Sequence, residues 1–376
     1  MTLYDAVAGL PLTVDAVGLD RREADTSAGR SRVTTIVELV GGDPPEESRR
    51  TPFASTDGVG GASSDSDGVA VGRGEDVTYA AEDHRALRAA GAETFAPLIG
   101  EWTFAEFATA VGDLDPFPEP PERETARRYR RWALESAGLD LALRQAGETL
   151  GERLGRDPKP VRFVVSTRLG DPPTADSLDD YRERTSEPSF KLDPTPAWDE
   201  ALLATLDDAG DVEVLDLKGH YEGTPVDVPA DPDFYERVVA GVPDAVVEDP
   251  LVTDATRPVF DGVEDRVAWD HPVTGVAAVE SLPWEPRWLN VKPSRFGSVR
   301  SLLATLEWAL ARGVNCYGGG QFELGVGRGA IQELAALFYP DGPNDVAPRA
   351  YNRAALPATL PASPRSPPAD HVGFGW

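Results

Sequence analysis

The feature that most constrains the fold is an alternation of short apolar runs and helical segments over residues 161–348. Strands are predicted at Val161–Ser166, Ser189–Leu192, Val212–Leu217, Ala245–Glu248, Val267–Asp270, Trp288–Pro293, Val314–Tyr317 and near Val346–Pro348. Helical patterns lie between them, most clearly at Trp198–Leu206, Asp233–Val239 and Val299–Ala311. Such an alternation favours a parallel sheet with right-handed crossovers, and about eight units favour a closed barrel. We therefore predict an α/β protein with a (β/α)7-8 TIM-like barrel over residues 126–352.

The first 125 residues predict a smaller α+β domain that caps the barrel. Strands are expected at Leu12–Leu19, Val33–Val40 and Val69–Tyr79, a polar loop at Arg21–Arg30, and helices at Glu82–Ala90 and Phe104–Val111. After a proline-rich break at Pro116–Pro121, a long helix is expected at Glu122–Leu154. Residues 41–68 are rich in Gly, Ser, Pro and Asp, so we expect a flexible hairpin insert there. The tail, residues 353–376, is expected to pack on the barrel or on the capping domain.

The charge of the chain limits its partners. A net charge of −28 disfavours nucleic-acid binding, because a polyanion would be repelled. We expect that this charge reflects adaptation to a salty, halophilic cytosol, where carboxylates keep a surface hydrated. No apolar run is long enough to span a membrane, no signal pattern is recognised at the N-terminus, and Cys316 is the single cysteine. We expect a cytoplasmic protein with no membrane partner.

Lysine is rare in the chain, which draws attention to the few lysines present. They are Lys159, Lys191, Lys218 and Lys292, and the other basic residues are arginines. A lysine can lose its proton near neutral pH in a suitable environment, whereas an arginine effectively cannot. Three of the four lie on or beside predicted strands, and Lys159 lies in a proline-flanked turn. The strand lysines are therefore candidates for chemistry.

Charged residues collect at the ends of successive predicted strands. Barrel enzymes carry their catalytic groups at the C-terminal ends of the strands. Those ends carry, in order, Lys191 and Asp193, Asp216 and Lys218, Glu248 and Asp249, Asp270 and His271, and Lys292. Carboxylates that converge in this way repel one another unless a cation lies among them. Hard oxygen ligands suit Mg²⁺, with Mn²⁺ as the alternative.

These motifs resemble the enolase superfamily, and in particular its muconate-lactonizing and o-succinylbenzoate-synthase branch. Leu215-Asp216, Val247-Glu248-Asp249-Pro250 and Trp269-Asp270-His271 are similar to the three metal-ligand strands of that family. The segment Asn290–Gly297 is similar to its sixth-strand lysine motif. Gly72–Glu75, the helix beginning near Trp132 and the glycine-rich Gly318–Gly327 resemble further parts of the fold. The spacings of 32, 22 and 22 residues from Asp216 to Lys292 also fit this branch.

The resemblance implies a role for each matching residue. Asp216, Glu248 and Asp270 would ligate Mg²⁺, and Lys292 would act as base or acid. The substrate would be a small carboxylate whose α-proton is removed through an enediolate. Substrate-binding residues would be His271, Arg295, Gly319 and Glu323, with capping loops around Arg21–Arg30 and near Tyr79 closing the site. A homo-oligomer, a dimer or an octamer, is expected.

The chain departs from the family pattern at four places. Asp193 stands where the second-strand catalytic lysine is usual, Lys218 where an asparagine is usual, and His271 where a glutamate is usual. The seventh strand reads Asn315-Cys316-Tyr317 and lacks a histidine. Lys191 and Lys218 are thus candidates either for catalysis, together with Asp193, or for structural ion pairs with Asp193 or Glu248.

Three functions remain open from the sequence. Dehydration of a hydroxy or sugar acid by a single base, Lys292, is favoured, because one lysine can remove the proton and return it to the leaving hydroxyl. An o-succinylbenzoate-synthase-like, cycloisomerase, racemase or epimerase reaction is the alternative. The third reading is a catalytically silent barrel that binds a metal and a metabolite or supports an oligomer.

Overall fold

The N-terminal part forms two small antiparallel sheets flanked by helices. The computed structural model describes residues 1–25, 31–42, 69–224, 226–353 and 355–376. The elements, in order, are α1 (Leu3–Ala8), β1 (Pro11–Val14), β2 (Ala16–Asp25), β3 (Ser31–Gly41), β4 (Ala70–Asp76), α2 (Ala81–Ala90), β5 (Gly100–Thr103), α3 (Phe104–Asp113) and α4 (Thr125–Ala146). β1 pairs with β5, and β2, β3 and β4 form a three-stranded sheet.

The remaining chain alternates strands and helices around one parallel sheet. Its elements are α5 (Leu150–Leu154), β6 (Val165–Thr167), α6 (Asp179–Arg182), β7 (Phe190–Leu192), α7 (Glu200–Ala209), β8 (Val212–Asp216), α8 (Pro232–Gly241), β9 (Val246–Glu248), β10 (Val267–Trp269), α9 (Val276–Val279), β11 (Trp288–Val291), α10 (Pro293–Phe296), α11 (Val299–Arg312), β12 (Asn315–Gly318) and α12 (Gly327–Phe338). The strands β6 to β12 are hydrogen-bonded in chain order, and each strand is parallel to its neighbours.

A short segment takes the place of an eighth strand and closes the barrel. Asn344 forms a parallel bridge with Phe163, and Asp345 forms one with Gly319. The Val164 amide donates to the Asn344 carbonyl at 2.9 Å, and the Asp345 amide donates to the Gly318 carbonyl at 2.8 Å. The predicted (β/α)7-8 barrel with an N-terminal α+β domain is therefore confirmed, and the closing pairs lie slightly before the predicted Val346–Pro348.

Helix α4 packs directly on β4, and two glycines make this contact possible. A Cβ atom on Gly74 would lie 2.0 Å from the Ala133 carbonyl oxygen, and one on Gly72 would lie 2.3 Å from that of Ala137. Real Cβ atoms do not approach backbone oxygens so closely, because such distances lie far inside van der Waals contact. The Gly-Arg-Gly pattern of β4 thus fixes the distance between the N-terminal sheet and the helix that leads into the barrel.

Three sequence predictions are corrected by the structure. The predicted strand Leu12–Leu19 is interrupted at Asp15, and its halves belong to different sheets. The predicted loop Arg21–Arg30 is strand as far as Asp25, and its remainder lies outside the described residues. The predicted helix Glu122–Leu154 is two helices, because Gly147 adopts a left-handed conformation with φ of 70° and ends α4.

Other predictions are not tested. Residues 43–68, most of the expected insert, lie outside the described residues. The expected domain boundaries near residues 125 and 352 stay predictions. For the described parts of the chain, no helix combines the length and the apolar character that crossing a membrane requires.

Candidate active site

The site lies where β7 to β11 end at one rim of the barrel. Parallel strands that are hydrogen-bonded side by side bring their C-terminal ends to the same edge. Asp216 ends β8 and is the backbone partner of Glu248, which ends β9. Asp270 directly follows β10, and Lys292 directly follows β11. The structure therefore brings together the four residues that the sequence assigned to metal binding and proton transfer.

Lys191 lies in β7 and connects two of the carboxylates. Its Nζ atom is 3.1 Å from Asp216 Oδ2 and donates a hydrogen bond to Glu248 Oε1. All three side chains are buried. Burial alone would lower the pKa of Lys191, but the charges of Asp216 and Glu248 outweigh it and raise the pKa above the ordinary lysine value. Lys191 is therefore a charged ammonium group between two metal-ligand candidates.

Glu248 is held by two further donors. The Asn290 amide donates to Oε2 at 3.2 Å, and the Tyr317 hydroxyl donates to the same oxygen. Burial and the charge of Asp216 raise the pKa of Glu248 above the ordinary glutamate value, and the charge of Lys191 opposes this shift. Tyr317 lies in β12, the seventh strand of the barrel. The sequence showed that this strand lacks a histidine, but it did not predict that Tyr317 contacts Glu248.

Asp270 uses one carboxylate oxygen for three donors and leaves the other free. Lys292 Nζ lies 2.9 Å from Asp270 Oδ2, Arg295 Nη2 3.1 Å and the Tyr221 hydroxyl 3.0 Å. Burial would raise the pKa of Asp270, but Arg295 and Lys292 outweigh it and hold the pKa below the ordinary aspartate range. Asp270 Oδ1 is buried and has no hydrogen-bond partner among the described residues.

Lys218 and Asp193 form an ion pair at the side of this cluster. Lys218 Nζ is 3.2 Å from Asp193 Oδ1 and also contacts Asp216 Oδ2. Asp193 accepts a further hydrogen bond from Arg168 Nε at 2.9 Å. Lys218 has φ of 53°, a left-handed conformation that is uncommon for residues other than glycine. The ion-pair interpretation of Lys191 and Lys218 is thus the one that their contacts support.

His271 lies beside the site, with its ring stacked on that of His220 at a centroid distance of 6.0 Å. Burial and the nearby Arg295 lower the pKa of His271 to about 4, so the imidazole is neutral at physiological pH. Its backbone amide donates to Asp249, which also accepts the amide of Asp270 at 3.1 Å. Asp249 therefore fixes the backbone of this strand end.

Three of the predicted substrate-binding residues lie in segments that follow barrel strands. Gly319 and Glu323 follow β12, and Arg295 lies in α10, which follows β11. A Cβ atom on Gly319 would lie 2.7 Å from Lys292 Cε, so the glycine backbone rests against the catalytic candidate. Glu323 Oε2, the Arg295 atoms Nε and Nη1, and Gln321 Nε2 are buried without a partner among the described residues. Such atoms are suited to a ligand, because an unsatisfied buried polar group costs about 1–3 kcal/mol.

The N-terminal sheet holds this region in place. Glu75 of β4 accepts the backbone amides of Leu324, Gly325 and Gly327 at 2.6–3.0 Å. The Tyr79 hydroxyl donates to Gln321 Oε1 at 2.6 Å. Tyr79, near which a capping loop was predicted to close the site, therefore lies against the segment that follows β12. Sequence reasoning missed Tyr221 and Gln321, which lie in loops without periodic signals.

The donor chemistry of the site fits a magnesium ion, although the side chains as they stand do not enclose one. Asp216, Glu248 and Asp270 offer hard carboxylate oxygens, and Asp270 Oδ1 is buried and unpartnered. Within the described ranges, no group of three His, Cys, Asp or Glu side chains is arranged to hold a metal ion. Lys191 gives the physical reason, because its ammonium group bonds to both Asp216 and Glu248.

Comparison with solved structures places the fold. A dipeptide epimerase from Enterococcus faecalis is 15% identical, covers 97% of this chain and 99% of its own, and has a TM-score of 0.63. The muconate lactonizing enzyme of Pseudomonas putida is 17% identical, with 89% and 88% covered and a TM-score of 0.60. A Mg-complexed dipeptide epimerase from Methylococcus capsulatus is 17% identical, with 93% and 89% covered and a TM-score of 0.56. The predicted enolase-superfamily fold is confirmed.

Comparison at the sequence level identifies the family. No curated protein matches the chain. The N-terminal domain of DUF8230, a domain of unknown function, matches residues 5–153, and the C-terminal domain of the same family matches residues 157–353. The two matches together span nearly all of the chain, and the C-terminal one alone covers the barrel strands. The chain therefore belongs to the DUF8230 family.

Proposed function

We propose that this chain is a Mg²⁺-dependent enzyme that removes the α-proton of a small carboxylate substrate. One observation carries the proposal: Asp216, Glu248 and Asp270 converge from adjoining strands, and Lys292 Nζ lies 2.9 Å from Asp270. If the substrate carboxylate binds the metal, its α-carbon would lie close to a base that stands beside a metal-ligand carboxylate. The names of the neighbouring structures, epimerases and a lactonizing enzyme, are consistent with this chemistry.

Each residue then has a task in the proposed reaction. Asp216, Glu248 and Asp270 would hold Mg²⁺, which when bound polarises the substrate carboxylate and stabilises the enediolate. Lys292 Nζ, as the neutral amine, takes the α-proton and becomes an ammonium group, while the C–H electron pair moves towards the carboxylate. Arg295, with Nε and Nη1 unpartnered among the described residues, would bind and orient the anionic substrate. Gly319 leaves room for the Lys292 side chain, because a Cβ atom there would lie 2.7 Å from Lys292 Cε.

A one-base reaction fits the side chains better than a two-base reaction. Asp193 occupies the position of a second base and is paired with Lys218 and Arg168. Lys191 is likewise engaged with two carboxylates. We therefore place dehydration of a hydroxy acid first, because Lys292 can return its proton to the leaving hydroxyl. Racemisation, which requires an acid or base on the opposite face, comes second.

A catalytically silent barrel is the second candidate. It is favoured by one observation: Asp216, Glu248 and Asp270 each contact a lysine of the chain itself. Such a self-neutralised cluster can be stable without any ligand. The two candidates differ in whether the protein exchanges an α-proton of any substrate.

The proposal is tested by α-proton exchange in D₂O. The protein is incubated with Mg²⁺ and a panel of sugar acids, hydroxy acids, amino acids and dipeptides, and deuterium incorporation is followed by NMR. We expect exchange with at least one class, and its loss on addition of EDTA. Exchange that persists in EDTA would contradict the metal-dependent mechanism. The absence of exchange across the panel would favour the silent barrel.

A further inference from the structure

Lys191 lies between two of the carboxylates that are candidates for metal binding. Its Nζ atom is 3.1 Å from Asp216 Oδ2 and donates to Glu248 Oε1, and the lysine side chain is only 1% exposed. A buried ammonium group needs such partners, because leaving one unpaired in the interior costs several kcal/mol. The two carboxylates compensate the charge of Lys191, and Lys191 compensates part of theirs.

The remaining carboxylate of the cluster is partly free. Asp270 Oδ2 accepts hydrogen bonds from three donors, whereas Oδ1 is buried and unpartnered among the described residues. Asp216 and Glu248 differ from it, because both oxygens of each have partners, and Lys191 contacts one oxygen of each. Asp270 therefore keeps one oxygen for a further partner, whereas the space between Asp216 and Glu248 is taken by the ammonium group of Lys191.

We propose that Lys191 is a built-in counter-ion that competes with Mg²⁺ for Asp216 and Glu248. Metal binding then requires the ammonium group to leave its place between the two carboxylates. The energetic reason is that an ammonium group and a divalent cation cannot share the same oxygens without strong repulsion at short range. This inference rests on the proposed function, since it assumes that these carboxylates are the metal ligands.

A consequence follows for the stability of the metal-free chain. Because Lys191 already neutralises the carboxylates, the wild-type fold does not depend on Mg²⁺. Without the ammonium group, Asp216 and Glu248 would repel each other across adjoining strands, and a bound divalent cation would relieve this repulsion. The melting temperature of a chain lacking the Lys191 charge is therefore expected to rise more on addition of Mg²⁺ than that of the wild type.

The test compares Lys191→Met with Lys159→Met, which removes a lysine charge from an exposed turn. Isothermal titration with MgCl₂ alone is expected to give a dissociation constant at least about tenfold lower for Lys191→Met, equivalent to about 1.4 kcal/mol. Lys159→Met is expected to match the wild type. Tighter binding by Lys191→Met than by the wild type and by Lys159→Met supports the inference. Equal affinities for wild type and Lys191→Met overturn the inference and leave the proposed function standing. Failure of every variant to bind Mg²⁺ overturns both.

A second measurement needs no substitution and so does not depend on the folding of the variant. In wild-type crystals soaked with MnCl₂, Lys191 Nζ is expected to lie outside hydrogen-bond distance of at least one of Asp216 and Glu248. A manganese ion bound to these carboxylates while Lys191 still contacts both would overturn the inference. The proposed function would survive that result, because the ion would still be in place.

Discussion

Replacing Lys292 with methionine is expected to lower the rate of α-proton exchange about 10²–10⁴-fold. Methionine has a similar length and volume but cannot accept a proton, so the change removes the base and little else. The Lys292 side chain is buried beside Asp270, and the Gly319 backbone lies against it. NMR of a substrate that the wild type exchanges in D₂O measures the effect.

The control is Lys159→Met, which carries the same chemical change at an exposed position. It should exchange the α-proton as fast as the wild type. Full exchange by Lys292→Met would show that Lys292 is not the base. If Lys218→Met then lost exchange instead, the base would be Lys218, which follows β8 and contacts Asp193.

Replacing Arg130 with methionine is expected to lower the free energy of unfolding by about 3–5 kcal/mol. Arg130 of α4 is fully buried, and its Nε atom donates to Asp76 Oδ2 of β4 at 2.8 Å. It also donates to the carbonyls of Pro116 and Asp83, and it lies 3.6 Å from the centroid of the Phe117 ring. The substitution leaves the Asp76 carboxylate buried and without this partner. Urea denaturation measures the loss.

The pH dependence of this effect has a definite sign. Burial would raise the pKa of Asp76, but Arg130 and His84 outweigh it and hold the pKa below the ordinary value. A carboxylate with a lowered pKa stabilises the fold above its unfolded pKa, and this contribution is lost as the pH falls through the folded value. The stability difference between wild type and Arg130→Met should therefore be full at neutral pH and shrink in acid.

Arg127→Met is the matched control on the same helix. Arg127 is partly exposed and pairs with Asp115 and Glu124 at the surface, so its loss should cost no more than about 1 kcal/mol. Adding Asp76→Asn to Arg130→Met should recover part of the stability, because the buried charge is then gone. An Arg130→Met chain as stable as Arg127→Met would contradict the assigned role of the buried ion pair.

The barrel and the main site residues were predictable because their signals are local. Short apolar runs that alternate with helical patterns identify β8 to β11, and charged residues at the ends of those strands identify Asp216, Glu248, Asp270 and Lys292. Parallel pairing in chain order then brings these ends together without further information. The sequence analysis identified Gly72–Glu75 as similar to a capping-domain strand, but it did not predict the close approach of β4 to α4 that Gly72 and Gly74 allow.

The other features of the fold and of the site depend on long-range contacts, which local patterns in a single sequence do not indicate. The alternation of Leu12–Leu19 continues through Asp15, so nothing local indicates that β1 and β2 belong to different sheets. The apolar spacing of α4 continues into α5, which hides the helix end at Gly147. Lys191 was predicted either as a catalytic residue or as half of an ion pair. Only the packed barrel shows that it contacts two carboxylates at once.

The measurement that tests the account most directly is anomalous diffraction from wild-type crystals soaked with Mn²⁺, an ion that shares the oxygen-ligand preference of Mg²⁺. The account predicts one strong anomalous peak at the barrel rim, coordinated by oxygens of Asp216, Glu248 and Asp270, with Lys292 beside it. A peak at another place, or no peak at saturating Mn²⁺, would contradict the claim that these three carboxylates form a metal centre.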